Sequence, residues 1–387
     1  MLNVLNPAVT FMLGYTLFFI YPILFVPFGD YFGLSLSVDV YKSVFLYALA
    51  FVVTNIYVSS MLQRKGMQPS SISYNLSAYN VTRLIYFFFI VGFITYILIF
   101  YRIGFIPIMH PNAEVVRVTA KQGMGYFYLL GAAFLYVSAA FSAAYFHKLS
   151  RLHNYIFICM SLLSFFLILG LGYRGPALMI ILTYLYCVYV LNDNFIKKRV
   201  ISIKLVLSCL LLFVILVVVG IYRHENQDFT GIMFRVYWIL SVNLSNLNDI
   251  VNYFKYNEFR FFSTILNDFL VAVPGFNTQF FGNELKYLLR MNFKGEGVTV
   301  TAPGEGYANL GFVGVVIHAS ILGSLCAFFY RYLIYKGTIV SFLLLAFISL
   351  NVWRVAAGGI MPMVIFSLIP ILLVFFIFVA IIKRGKI

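Results

Sequence analysis

An all-α chain that crosses a membrane about ten times is what the 387-residue sequence predicts, and three observations carry that reading. Hydrophobic residues make up 63% of the chain and charged residues only 10%, with a mean hydropathy of +0.96, whereas soluble domains carry about 25% charged residues. The apolar residues gather in repeated runs of roughly 18 to 25, each long enough to cross a hydrocarbon core of about 30 Å as a helix. None of these runs alternates with a period of two, which excludes a transmembrane β-barrel. In lipid the backbone must satisfy its own hydrogen bonds, so each run is helical.

The spans fall at about 8–27, 42–61, 83–101, 125–146, 155–172, 175–191, 203–221, 308–330, 338–353 and 361–382. The opening stretch MLNVLNPAVTFMLGYTLFF lacks a basic n-region and a small-residue cleavage site, so it reads as the first span and not as a removable signal. Cys159, Cys187, Cys209 and Cys326 all sit inside apolar runs, where packing is the expected role; neither a disulfide nor a cysteine metal site is expected. Every second connection is short and basic: Arg64/Lys65, Lys148/Arg151, Lys197/Lys198/Arg199/Lys204 and Arg331/Lys336, with Lys383/Arg384/Lys386 at the end. With Arg83, that side holds fourteen of the 27 Lys and Arg residues against a single acid, Asp193. The positive-inside rule therefore predicts both termini in the cytoplasm. The net charge of +15 is thus mainly a topology signal drawn to anionic headgroups, not the footprint of a nucleic-acid binder.

Three segments follow: a seven-span bundle over 1–221, an outer segment over 222–307, and three last spans with a tail over 308–387. The outer segment has room for a chemical site. Residues 231–254, 261–273 and 279–291 carry apolar residues at helical spacing but are too polar to span, which suits helices at the membrane surface or in the bundle mouth. A folded loop that only braces the bundle is the simpler alternative. On the same outer side, GLGYRGPALM (170–179) forms a tight turn between spans 5 and 6 and places Arg174 among glycines and Pro176. An unpaired guanidinium in the apolar region is costly, so Arg174 sits at a boundary, is paired, or binds an anion.

Basic residues recur on this side: Arg102, Arg117, Lys121, Arg174, Arg223, Arg235, Arg260, Lys286, Arg290 and Arg354. Arginine's planar fork grips phosphate oxygens bidentately; snorkelling explains any one of them taken singly. His110 and His224 show no metal-ligand pattern, and phosphate-loop, dinucleotide and nucleophile-elbow motifs are missing, so no metal and no cofactor are expected. TAPGEGYANLGFVGVV (301–316) leads into span 8, with Glu305 just before the predicted helix, where the macrodipole favours an acid. Gly311 and Gly314 would admit another helix closely.

The turn GYRGPAL between two central spans, the long outer segment before the last three spans and its closing GEGYANLGFVG resemble the Wzy-type O-antigen polymerases. The resemblance implies a GT-C-like integral membrane glycosyltransferase that transfers a growing glycan from an undecaprenyl-diphosphate carrier to a new lipid-linked repeat unit on the periplasmic side of the bacterial inner membrane. It also implies a polysaccharide chain-length regulator as partner. Under it, Arg174 and Arg354 would neutralise the leaving diphosphate, with Arg223, Arg117 and Arg290 helping to bind it. Tyr173, Tyr237, Trp238 and Tyr307 would stack on sugars, and Glu305, Asp228 or Glu225 would serve as general base. An O-antigen ligase shares the donor, but that family carries a histidine in its late outer loop, and none occurs here between His224 and His318. A lipid-linked oligosaccharide flippase is the rival of another class; no internal repeat of the transporter kind is visible.

Overall fold

The computed structural model describes residues 6–24, 35–67, 73, 77–110, 125–190, 229–271, 273, 276, 278–291 and 297–384. Its helices, in chain order, are α1 (Pro7–Leu24), α2 (Val38–Arg64), α3 (Ala78–Ile103), α4 (Gly125–Ala144), α5 (Arg151–Gly170), α6 (Arg174–Val190), α7 (Phe229–Lys255), α8 (Ser263–Val271), α9 (Phe281–Leu288), α10 (Ala302–Lys336), α11 (Ile339–Asn351), α12 (Trp353–Gly358) and α13 (Ile360–Ile382). Among the described residues there is no β-strand, only an isolated bridge between Ser73 and Thr338. Eight of the helical stretches there are long and apolar enough to cross a membrane, so the protein is an all-α, multi-pass membrane protein. They coincide with the predicted spans 1–5 and 8–10. The sixth is the shorter α6, and the seventh, 203–221, lies outside the described residues.

Two compact units are interleaved along the chain: unit 1 is Met1–Ser70, Asp228–Gly337 and Ile348–Ile365, and unit 2 is Ser71–Gln227, Thr338–Phe347 and Phe366–Ile387. In unit 1, α2 packs along α10 at a distance only glycine allows, since a Cβ on Gly323 would stand 2.6 Å from the Phe51 carbonyl oxygen. Asn55 Nδ2 donates to the Gly323 carbonyl at 2.9 Å. α7, the longest helix within 222–307, buries Leu244, Leu247, Ile250, Val251 and Phe254, a spacing that puts all five on one helical face against the unit's core. The ion pair Lys255–Asp39, at 2.9 Å, ties the end of α7 to the start of α2.

In unit 2, α4 is the central helix. Its sequence GAAFLYVSAAFSAA is rich in small residues, which lets neighbouring backbones approach closely and explains its burial along nearly its whole length. Phe141 of α4 stacks on Phe378 of α13 with centroids 4.0 Å apart, and Tyr136 bonds Thr183 of α6. The turn between α5 and α6 is as tight as the sequence predicts: three residues, with Gly172 at φ +89.

Candidate functional site

The stretch that the sequence places just ahead of span 8 is itself helical, which corrects the predicted start at 308. α10 begins at Ala302, and Glu305 lies in its first turn. Thr301, at φ 62 and ψ 144, caps it by accepting a hydrogen bond from the Gly304 N–H at 3.1 Å, and Pro303 follows at a position whose own N–H needs no partner. The first segment is short because Leu310 (φ −146, ψ 28) and Gly311 (φ 61, ψ −142) leave the helical region.

That break turns the chain back on itself. A Cβ on Gly314 would stand 2.0 Å from the Gly306 carbonyl oxygen, and one on Gly306 would stand 2.9 Å from Val315 Cα. Gly314 therefore admits the protein's own preceding turn, not another helix as expected, while a Cβ on Gly311 would stand 3.0 Å from Phe259 Cζ. The consequence is a contact that a straight helix forbids. Glu305 and His318, thirteen residues apart, would be separated by about 20 Å along an unbroken helix at 1.5 Å per residue; here Glu305 Oε2 lies 3.2 Å from His318 Nε2.

The folded-back segment is gripped from both sides by main chain. Thr301 N–H donates to the Ala357 carbonyl at 3.1 Å, and Ile360 N–H donates to Glu305 Oε2 at 3.1 Å. From the other side, Arg260 and Phe261 N–H donate to the carbonyls of Ala308 and Asn309 at 2.9 and 3.1 Å, while Asn309 Nδ2 donates to Thr264 Oγ1 and to the Glu305 carbonyl, both at 2.7 Å. Gly359, at φ +80, completes the collar, since a Cβ there would stand 2.9 Å from Glu305 Oε2. Among the described residues, the non-glycine positions with positive φ are Phe261, Phe262, Arg290 and Thr301, and Phe261 and Thr301 belong to the main chain that holds this segment. Such conformations cost about 1–3 kcal/mol each and persist where their surroundings hold them.

Beyond His318 the chain of hydrogen bonds continues. His318 Nδ1 pairs with Tyr47 Oη at 2.9 Å; the Tyr47 ring stacks on Tyr15 at 5.4 Å, and Tyr15 donates to the Val44 carbonyl at 2.9 Å. Glu305, His318 and Tyr47 are 1%, 3% and 0% exposed. The roles are consistent when Tyr47 O–H donates to Nδ1 and Nε2–H donates to the carboxylate. Burying a carboxylate is costly unless donors compensate it, and here Ile360 N–H and His318 both do so at one oxygen. Oε1 carries no hydrogen bond among the described residues.

The other predicted site residues are distributed as follows. Arg354 lies on α12 in unit 1, half-buried, with Nη1 3.4 Å from Asn351 Oδ1. Arg290 is exposed just after α9, at φ 52. Tyr307 is 4% exposed and meets Phe312 and Phe259 edge to face, so it occupies a core position and not the open ring face expected of a sugar platform. In unit 2, Tyr173 is half-buried against Tyr128 at 4.8 Å, and Arg174 opens α6, its side chain lying outside the described part of the structure. Arg117, Arg223, Glu225 and Asp228 lie outside the described residues, as do the side chains of Tyr237 and Trp238. The structure thus brings Glu305, Tyr307, Arg354 and Arg290 into one unit. It adds His318 and Tyr47, which the sequence reading passed over although ionisable groups inside predicted spans are functional candidates by default.

A second carboxylate, Asp268 of α8, is 1% exposed and accepts from Phe281 N–H at the start of α9. Burial, and then the nearby charges of Glu305 and Glu284, raise its pKa to about 7, against the lowering effect of the Phe281 bond.

No curated protein and no solved structure gives a significant match to the chain. The family described as "Putative O-antigen polymerase" matches residues 4–367, nearly the whole length. With its multi-pass helical architecture, the chain belongs to the O-antigen polymerase family, whose members act in lipopolysaccharide biosynthesis as glycosyltransferase-like polymerising enzymes on lipid-linked oligosaccharides.

Proposed function

We propose that the protein polymerises undecaprenyl-diphosphate-linked oligosaccharide repeat units into O-antigen on the periplasmic face of the inner membrane, with both termini in the cytoplasm. Family membership supports the polymerase reading, and one observation supports the chemistry: a buried carboxylate, Glu305, held through Oε2 by Ile360 N–H and His318, with no partner at Oε1 among the described residues. In the reaction an acceptor hydroxyl oxygen attacks the anomeric carbon of the donor, the bond from that carbon to the diphosphate oxygen breaks, and the diphosphate leaves on its lipid. Glu305 Oε1 takes the hydroxyl proton, a contribution of about 10²–10⁴-fold for a well-placed base. Arg174 and Arg354, with Arg223, Arg117 and Arg290, neutralise the charge developing on the diphosphate, a role suited to arginine's bidentate fork. Tyr173 offers its ring to a sugar, and Tyr307 keeps the folded-back segment in place through the core. A chain-length regulator would act as partner.

The test is direct. Purified protein incubated with lipid-linked repeat units yields a ladder of glycan lengths, and a null strain keeps single repeat units on its lipid A core while losing long polymer. Loss of every surface glycan, single units included, would instead identify ligase or flippase activity.

A further inference from the structure

The starts of α3 and α5, both in unit 2, flank an open cavity of about 390 Å³ that the reaction above does not use. Arg83, Lys148 and His153 line it together with Tyr79, Tyr86 and Ser150. Among the described residues no acid lines it, and the sequence places none in the connection 65–77 or in 145–150. Arg83 and His153 are oriented by neighbours that leave them able to donate. The Arg83 guanidinium lies over the Tyr79 ring, 4.4 Å from its centroid, an arrangement that fixes the planar fork while its N–H groups stay directed outward. His153 Nδ1 pairs with Tyr86 Oη at 2.9 Å; when the tyrosine donates, the ring hydrogen sits on Nε2, which can donate to a ligand. Both helix starts add main-chain N–H groups and the positive end of their dipoles.

What enters such a cavity is an anion, and the helix below it shows which kind. From Arg83, the exposed residues Phe87, Ile90 and Ile94 (53%, 50% and 50% exposed) follow at i+4, i+7 and i+11, forming one continuous apolar stripe down a membrane-spanning helix. A ligand with a phosphate at one end and acyl chains at the other satisfies both parts. We propose that this cavity is a discrete binding site for the headgroup phosphate of an anionic phospholipid, with the acyl chains lying along the Phe87–Ile90–Ile94 stripe of α3.

The experiment reconstitutes the full-length protein in nanodiscs of phosphatidylcholine doped with phosphatidylglycerol and counts retained lipids by native mass spectrometry. Wild type retains a phosphatidylglycerol under conditions that strip phosphatidylcholine. Each of Arg83→Ala and Lys148→Ala weakens retention about fivefold, and the double variant about 25-fold, since each cation near a lipid surface is worth about a factor of five. Arg83→Lys/Lys148→Arg, which keeps both charges, retains the lipid and controls for folding. Arg64→Ala/Lys65→Ala removes two exposed cations outside the cavity and leaves retention unchanged; equal loss in that variant would show diffuse surface attraction and overturn the site. Inorganic phosphate in millimolar excess does not displace the lipid, whereas displacement would assign the cavity to free phosphate and refute the lipid reading.

Discussion

Glu305→Gln and Glu305→Ala separate what the carboxylate does chemically from what it holds together. Both donors that reach Glu305, Ile360 N–H at 3.1 Å and His318 Nε2 at 3.2 Å, converge on Oε2. A glutamine can place its carbonyl oxygen at that position and keep both bonds, with its amide nitrogen where Oε1 stood, so the fold-back of 302–309 survives. Alanine leaves both donors unpaired in a site where Glu305 is 1% and His318 3% exposed. An orphaned buried donor costs about 1–3 kcal/mol, so the pair costs about 2–6 kcal/mol, a large share of the roughly 5–15 kcal/mol that holds a typical fold together. The expected pattern is a glutamine variant that melts close to wild type in detergent but polymerises lipid-linked repeat units about 10²–10⁴-fold more slowly, and an alanine variant that is also markedly less stable. A glutamine variant producing wild-type ladders at wild-type rates would remove Glu305 from the chemistry and leave it a purely structural anchor. If glutamine destabilised the protein as much as alanine does, the hydrogen-bond assignment itself would be refuted.

Gly314→Ala should be severe, because its Cβ would fall 2.0 Å from the Gly306 carbonyl oxygen; overpacking of this kind costs about 1–3 kcal/mol, and polymer should be lost, whereas Gly175→Ala, whose Cβ meets nothing within 4 Å, should insert and melt normally. Asp268, with its pKa raised by burial to about 7, should stabilise the fold fully below its unfolded value near 4 and lose that contribution as pH rises toward 7. Melting temperatures measured across pH 4–8 should therefore fall in wild type and stay flatter in Asp268→Asn, which imitates the protonated form; identical profiles would reject the shift. Arg174→Lys keeps the charge but not the fork, and in a normally inserted variant it should slow polymerisation, while wild-type rates from Arg174→Ala would exclude Arg174 from diphosphate binding. Reporter fusions after Arg199 and Lys336 should read cytoplasmic and one at Lys255 periplasmic; a cytoplasmic signal at Lys255 would overturn the orientation.

Eight of the spans were legible because lipid imposes length and composition on any helix that crosses it, and the three helices within 222–307 were legible because their apolar residues keep helical spacing even where they are too polar to span. The start of α10 was not. APGEGYAN contains two glycines, a proline and an acid before the apolar run begins, a composition that reads as loop until tertiary contacts are counted: the Thr301 cap, the main chain of 260–261 on one side and of 357–360 on the other hold it helical. The Glu305–His318 contact was hidden for a related reason. Helical periodicity relates residues three, four and seven apart, and it assigns partners thirteen apart to different levels of the membrane; only the break at Leu310–Gly311, closed by Gly306 against Gly314, places them side by side. The glycine spacing was visible in the sequence, but a glycine admits whatever backbone approaches it, and nothing local says whether that backbone belongs to another helix or to the preceding turn of the same one. His318 was the better clue. A histidine in the middle of an apolar span needs partners for both ring nitrogens, and its donors and acceptors had to come from residues the span does not itself supply, here Tyr47 from α2 and Glu305 from the folded-back turn. The demand for buried polar satisfaction thus reaches across the sequence where periodicity cannot, and it is this demand that ties the site's carboxylate to the packing of α2 against α10.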